Sequence, residues 1–135
     1  MREILYRGKG DTRFNLGGWF YGVPIKDFEG DWQLWTDCTK TTVLPETIGQ
    51  YTGLTDKNGK KIFEGDIIKQ INSYDNLEII GVVRFSKSSQ FVVSHTYTEK
   101  ENYYKSGKKK VFAIKTNCEI IGNIHDNPEL LEVNQ

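Results

Sequence analysis

Alanine is almost absent from this chain: its 135 residues include one, Ala113, against 13 isoleucines, 8 valines and 11 threonines. Alanine is the strongest helix former, whereas β-branched side chains fit pleated surfaces, so the composition excludes a helical bundle and predicts a mainly β protein. Cysteine is scarce as well. Cys38 and Cys118 allow at most one bridge, so no disulfide framework organises the fold. No sign of charge is in excess, because 18 basic residues meet 18 acidic ones. That balance argues against gripping nucleic acid through a global basic field, though not against a local patch. No apolar run approaches the length of a membrane span, and Met1-Arg2-Glu3-Ile4-Leu5-Tyr6-Arg7 lacks the apolar stretch of a secretory signal. The expectation is a cytoplasmic protein with no membrane partner and both thiols reduced.

What is present is a globular composition, 37% hydrophobic and 27% charged. With no internal repeat and no linker, the chain reads as one domain, 1–135. Arg2 to Tyr6 alternates weakly and is read as a first strand, followed by a glycine-rich loop from Gly8 to Gly18. Gly18-Trp19-Phe20-Tyr21-Gly22-Val23 form a short aromatic strand closed by Pro24. Trp32/Leu34 alternate with Gln33/Trp35, and Thr39 to Thr42 is a turn or edge. Glu78 to Phe85 and Phe91 to Tyr97 pair as a hairpin through Ser86 to Ser89. Glu99 to Lys110 reads as an exposed loop, Val111 to Ile114 as a strand or helical turn, and Cys118 to His125 as a strand. Pro45 and Pro128 open short helical turns near 45–48 and 128–132, the second capped by Asn127. The fold expected is a small multi-stranded sheet or partly open barrel. The Gly-Asp pair before Ile67-Ile68 suggests, by analogy, an SH3-like element around 50–98.

Three blocks resemble a known family. Met1 to Lys9 with Gly18-Trp19-Phe20-Tyr21-Gly22 is similar to the opening of the YopX family of phage and prophage proteins. Pro45-Glu46-Thr47-Ile48-Gly49-Gln50-Tyr51-Thr52-Gly53-Leu54, continuing through Asp56-Lys57-Asn58-Gly59 to Glu64-Gly65-Asp66-Ile67-Ile68, resembles its central signature. Glu119-Ile120-Ile121-Gly122-Asn123 through Asn127-Pro128-Glu129-Leu130-Leu131 resembles its closing motif. The resemblance implies a phage or prophage origin, a bacterial host cytoplasm and a β-rich domain, but no activity, since the family is uncharacterised. Phe63 stands where tyrosine is usual, and Asn72 to Asn117 follows no family motif.

The chemistry-bearing residues read plainly. Cys38, His95, Cys118 and His125 show no zinc spacing, so no metal and no cofactor are expected. Asp56 to Glu64 fails as a calcium loop in either register, and Asp56-Lys57-Asn58-Gly59 reads as a hairpin turn. Asp56, Glu64 and Asp66 could cluster for acid–base work, but Glu64 and Asp66 are expected to cap backbone N–H groups instead. No nucleophile elbow or phosphate loop occurs, so no catalytic residue is assigned and an enzyme is not expected. His95, beside Phe91, Val93 and Tyr97, is read as a histidine at the core edge. The candidate nucleic-acid site is Tyr103, Tyr104, Lys105, Lys108, Lys109 and Lys110, with lysines for phosphates and tyrosines for stacking. The competing reading is a solvated segment whose lysines protect a sheet edge. Trp19, Phe20, Tyr21, Trp32 and Trp35 are expected mostly in the core, any left exposed marking a partner interface. The leading function is therefore a non-enzymatic interaction module that binds itself or a host or phage protein. Nucleic-acid binding stands second, and a small hydrolase or nuclease third.

Overall fold

The computed structural model describes residues 4–14, 17–71, 76, 78–85, 90–97 and 108–131, with backbone alone for 94–97 and 108–111. Among these the chain is mainly β, with eleven strands and short 3-10 turns. It divides into two compact units, Met1–Gly53 and Leu54–Gln135.

The first unit is an antiparallel sheet in the order β4-β3-β2-β1-β5. Its strands are β1 (Tyr6–Lys9), β2 (Trp19–Lys26), β3 (Trp32–Trp35), β4 (Lys40–Thr42) and β5 (Gly49–Thr55). The chain then folds back behind β4. Leu44 N–H donates to the Lys9 carbonyl at 2.9 Å, Asp11 N–H donates to the Thr42 carbonyl at 3.1 Å, and Gly10 bridges Val43. Leu34 and Val43 are enclosed on the inner side at 1% exposure each. That interior is narrow: a Cβ on Gly8 would lie 3.2 Å from Val43 and 3.3 Å from Leu34. Gly8 therefore belongs to a strand, not to the expected loop, because glycine lets backbone approach this closely. The first strand begins at Tyr6 accordingly, and Arg2 and Glu3 lie outside the described residues.

β2 also runs past Pro24, which was expected to close it. The pairing of β1 stops at Tyr6 opposite Gly22, while β3 pairs onward from Val23 to Lys26. Beyond Gly22 one side of β2 is thus free of β1, where a missing N–H costs no ladder bond.

The second unit holds β6 (Lys61–Phe63), then β7 (Asp66–Ile71), β8 (Glu78–Phe85), β9 (Phe91–Tyr97), β10 (Lys108–Ala113) and β11 (Glu119–Asn123). The last five form an antiparallel sheet in the order β10-β9-β8-β7-β11. The expected β8–β9 hairpin is present, with Val83 opposite Val93 and Phe85 opposite Phe91. The two phenylalanine rings meet edge to face at 4.9 Å. Ile62, Ile68, Ile79, Val83, Val93 and Cys118 make the core, with Phe91, Phe112, Ile114 and Ile120 against it. Burying one such aliphatic side chain contributes roughly 1.5–3 kcal/mol. Among the described residues no closed barrel forms; the end of β4 meets the end of β1 only through the Gly10–Val43 bridge and its flanking bonds. In the 50–98 stretch, β5 pairs with β1 of the first sheet while β7, β8 and β9 form a meander in the second.

Two other expectations change. Lys108 to Lys110 are not in a loop but begin β10, because their backbone pairs with Tyr97, Thr96 and His95. β11 ends at Asn123 and carries a bulge: Ile120 faces Ile68 and Gly122 faces Ile67, leaving Ile121 extra. One inserted residue breaks the two-residue period, so Ile120 and Gly122 do not share a side as simple alternation implies. The 3-10 turns Pro45–Thr47 and Pro128–Leu131 form where proline indicated. Asn127 turns its Oδ1 back toward β11, accepting from Asn123 N–H at 3.3 Å.

A Cβ on Gly22 would sit 2.5 Å from the Trp35 carbonyl oxygen. Gly22→Ala should destabilise the protein by about 1–3 kcal/mol through this overpacking. Urea unfolding followed by tryptophan fluorescence reads the loss, and an unchanged midpoint would show that β2 and β3 do not approach in this way.

Candidate interaction surface

The register of the first sheet decides what faces outward. Arg7 pairs with Tyr21, Val23 with Trp35 and Trp35 with Lys40, so these residues share one side, together with Ile25. Leu34 takes the other side and fills the interior. Most of the aromatics are consequently not core. Tyr21 and Trp35 are exposed at 47% and 39%, and Val23 and Ile25 beside them at 48% and 38%. Trp19, Phe20 and Trp32 are half-buried. The reason is the register: Tyr21, Val23 and Trp35 alternate with the positions of the inner side, which Leu34 and Val43 fill against Gly8.

The surface is ordered. Trp35 Nε1 donates to Gln33 Oε1 at 3.0 Å, and Lys40 Nζ lies 5.3 Å from the Trp35 ring centroid. Arg7 stacks its guanidinium over Trp19 at 4.6 Å. The charged positions that the register gives this face are all basic, Lys40 exposed, Lys9 half-buried and Arg7 buried. Adjacent exposed apolar side chains with basic residues at their edge are suited to binding a macromolecular partner.

Two of the three residues weighed for catalysis, Asp56 and Asp66, serve the backbone. Asp56 is buried, and its Oδ1 accepts from the N–H groups of Asn58 and Lys60 at 2.9 Å each. Its Oδ2 accepts from Ile120 N–H at 3.1 Å, which ties the turn to β11. The turn itself closes through Asp56 N–H to the Lys60 carbonyl at 2.8 Å. Of the Asn-Gly pair only Gly59 takes positive φ, +81°, as a three-residue hairpin loop with one left-handed residue requires. Asp66 caps as expected, its Oδ2 accepting from Phe63 N–H at 2.8 Å. Glu64 is half-buried.

Burial alone would raise the Asp56 pKa. The N–H groups of Lys60, Ile120 and Asn58 and the Lys60 charge outweigh it, so the carboxyl is held below the ordinary aspartate value. A carboxylate so occupied is a poor general base. Cys118 is driven the other way, first by burial and then by the Asp56 charge, which leaves an unreactive thiol. Cys38 is an exposed free thiol in the turn between β3 and β4. His125 is half-buried just past β11. Among the described residues no three Cys, His, Asp or Glu side chains gather where they could hold a metal ion.

Of the candidate nucleic-acid residues, Tyr103, Tyr104 and Lys105 lie outside those described, as does the His95 side chain. Lys108, Lys109 and Lys110 fall on β10, the edge strand of the second sheet. A strand's two-residue period assigns consecutive positions to alternate faces.

Two buried groups escaped sequence reasoning. Gln70, 1% exposed, donates from Nε2 to the Ala113 carbonyl at 2.8 Å and accepts at Oε1 from Lys115 N–H at 3.0 Å. Asp11 is chelated by Arg13, whose Nη2 lies 2.7 Å from Oδ2, and this hydrogen bonding holds the Asp11 pKa below its ordinary value. The one available signal for Gln70 was its place two residues from Ile68, on the same face of an apolar strand.

Because the Asp56 pKa is lower in the folded state, its carboxylate stabilises the fold above the unfolded-state value. That stabilisation is lost as pH falls through the folded-state value. Asp56→Asn should cost on the order of 1–3 kcal/mol at pH 7. The gap to wild type should narrow as the pH drops below about 4. Urea titrations at neutral and acid pH test this, and a gap independent of pH would refute the role.

Comparison with known proteins places this geometry in context. The profile described as YopX protein matches residues 24–132, which contain the central and closing blocks, whereas the opening block precedes residue 24. No curated protein matches the chain. Solved structures that share its fold include the following two. Protein EF1440 from Enterococcus faecalis is 22% identical with a TM-score of 0.54, over 98% of this chain and 100% of that one. The yopX protein from Bacillus subtilis is also 22% identical with a TM-score of 0.54, over 100% of both chains. With more than half its length matched by the family profile, the chain belongs to the YopX family.

Proposed function

We propose that this protein is a non-enzymatic phage or prophage accessory protein that acts in the bacterial cytoplasm by binding another protein. The observation that carries the reading is the outward-facing group Tyr21, Val23, Ile25 and Trp35 on β2 and β3. Aromatic side chains at the centre of an apolar patch dominate protein–protein contacts. The occupied carboxylates support it further. Asp56 and Asp66, two of the acids weighed for catalysis, already accept backbone N–H groups, so neither is idle for acid–base chemistry.

Tagged wild-type protein and a Val23→Lys/Trp35→Ser double variant should be purified side by side from phage-infected host cells. Both substitutions are on the surface, so stability should hold within roughly 1 kcal/mol. A discrete protein should co-purify with wild type, and the variant should bind it at least about tenfold more weakly. The same partner retained equally by the variant would overturn the role of this face. Salt-sensitive binding to a labelled oligothymidylate, abolished by alanine at Lys108, Lys109 and Lys110, would replace the proposal with the nucleic-acid reading.

A further inference from the structure

The β2–β3 hairpin ends in Asp27-Phe28-Glu29-Gly30-Asp31, and its tip is firmly built. Asp27 N–H donates to the Asp31 carbonyl at 2.8 Å, and Gly30 N–H donates to the Asp27 carbonyl at 3.2 Å. Asp27 Oδ1 accepts from Glu29 N–H at 3.0 Å and from Asp31 N–H at 2.8 Å. Gly30 supplies the left-handed residue with φ of +91°. Arg13, fixed by Asp11, reaches Asp31 Oδ1 from Nη2 at 3.1 Å. On this frame Phe28 holds its ring fully in water, at 110% relative exposure. A phenylalanine with two side-chain torsions on a preorganised turn loses little entropy on contact, which is the property of an anchor.

We infer that the Phe28 tip docks on the Tyr21–Val23–Trp35 face of a second copy of this chain, an inference that rests on that face being a contact surface. Charge complementarity selects this occupant. At the tip Glu29 is exposed beside the half-buried Asp27 and Asp31, whereas the charged groups accessible on the face are Lys40, exposed, and Lys9, half-buried, Arg7 being buried. Phe28 meets the apolar centre while acids meet the basic edge, so approach is steered and register fixed. The contact is heterologous: tip and face are different surfaces, and each copy carries both. One ring and its acidic rim bury less than the roughly 1,200 Å² of stable interfaces, so association is weak. Its dissociation constant should fall between about 10 µM and 1 mM.

Light scattering and sedimentation of the full chain from about 10 µM to about 1 mM should show an average mass that rises with concentration and falls with added salt. Phe28→Ala and Trp35→Ser, each checked for an unchanged thermal transition, should stay monomeric alone. Mixed, they should form a one-to-one dimer, because the first keeps the face and the second keeps the tip. Three results would overturn the inference. These are a wild type monomeric throughout, self-association that survives either substitution, or a mixture that stays monomeric when both single variants have lost association. In each of those cases a Trp35-dependent contact with a different protein is still read by the co-purification from infected cells, so the two failures are distinguishable.

Discussion

The interior of the first unit has room for Leu34, Val43 and the bare backbone of Gly8, and the rest of its surface follows from that limit. A strand offers two sides. When one is closed to large side chains, every second residue of an aromatic strand must face outward. Tyr21 and Trp35 thus face outward, on the side opposite Leu34, Val43 and Gly8. Water does not favour that arrangement, since each exposed ring forgoes the transfer free energy its burial would give. A second macromolecule covering the face would recover it, which is the physical basis for reading the unit as a docking module.

The second unit uses its polar side chains differently. Asp56, Asp66 and Gln70 are buried, and each satisfies backbone groups that the strands leave open. Asp56 bonds both its own turn and Ile120, across a sequence separation of 64 residues. Buried donors left without acceptors cost about 1–3 kcal/mol each, so these residues are held by architecture and need no chemical task. The central and closing YopX-like blocks contribute Asp56, Asp66, Gly59 and Asn127, all of them working on turns. The family's most recognisable residues therefore describe how the fold is joined, while the exposed apolar group, on strands β2 and β3, is formed by residues outside those blocks.

Much of the fold was legible because it depends on local rules. β-branched content announced the sheets, the alternating runs from Glu78 to Phe85 and from Phe91 to Tyr97 announced the hairpin, and prolines marked both 3-10 turns. What escaped depends on distant neighbours. Gly8 reads as loop unless Val43 is known to press against it, and Pro24 reads as a terminator unless β1 is known to stop short of it. The bulge at Ile121 has no marker beyond the adjacent Gly122, and Lys108 to Lys110 look like solvated loop until their backbone is seen paired with β9. The same holds for the candidate surface. Alternation of Trp32/Leu34 with Gln33/Trp35 was visible, but which pair faces inward is set by the tertiary approach of Gly8 and Val43.

Hydroxyl-radical footprinting tests the central claim most directly, by comparing the protein in buffer with the protein in an extract of phage-infected cells. The account predicts that Tyr21 and Trp35 become protected in the extract. Phe85, exposed on the second sheet at 49%, should label equally in both and serves as the internal standard. Equal labelling of all three residues in both conditions would contradict the assignment of the β2–β3 face as the surface through which this protein works.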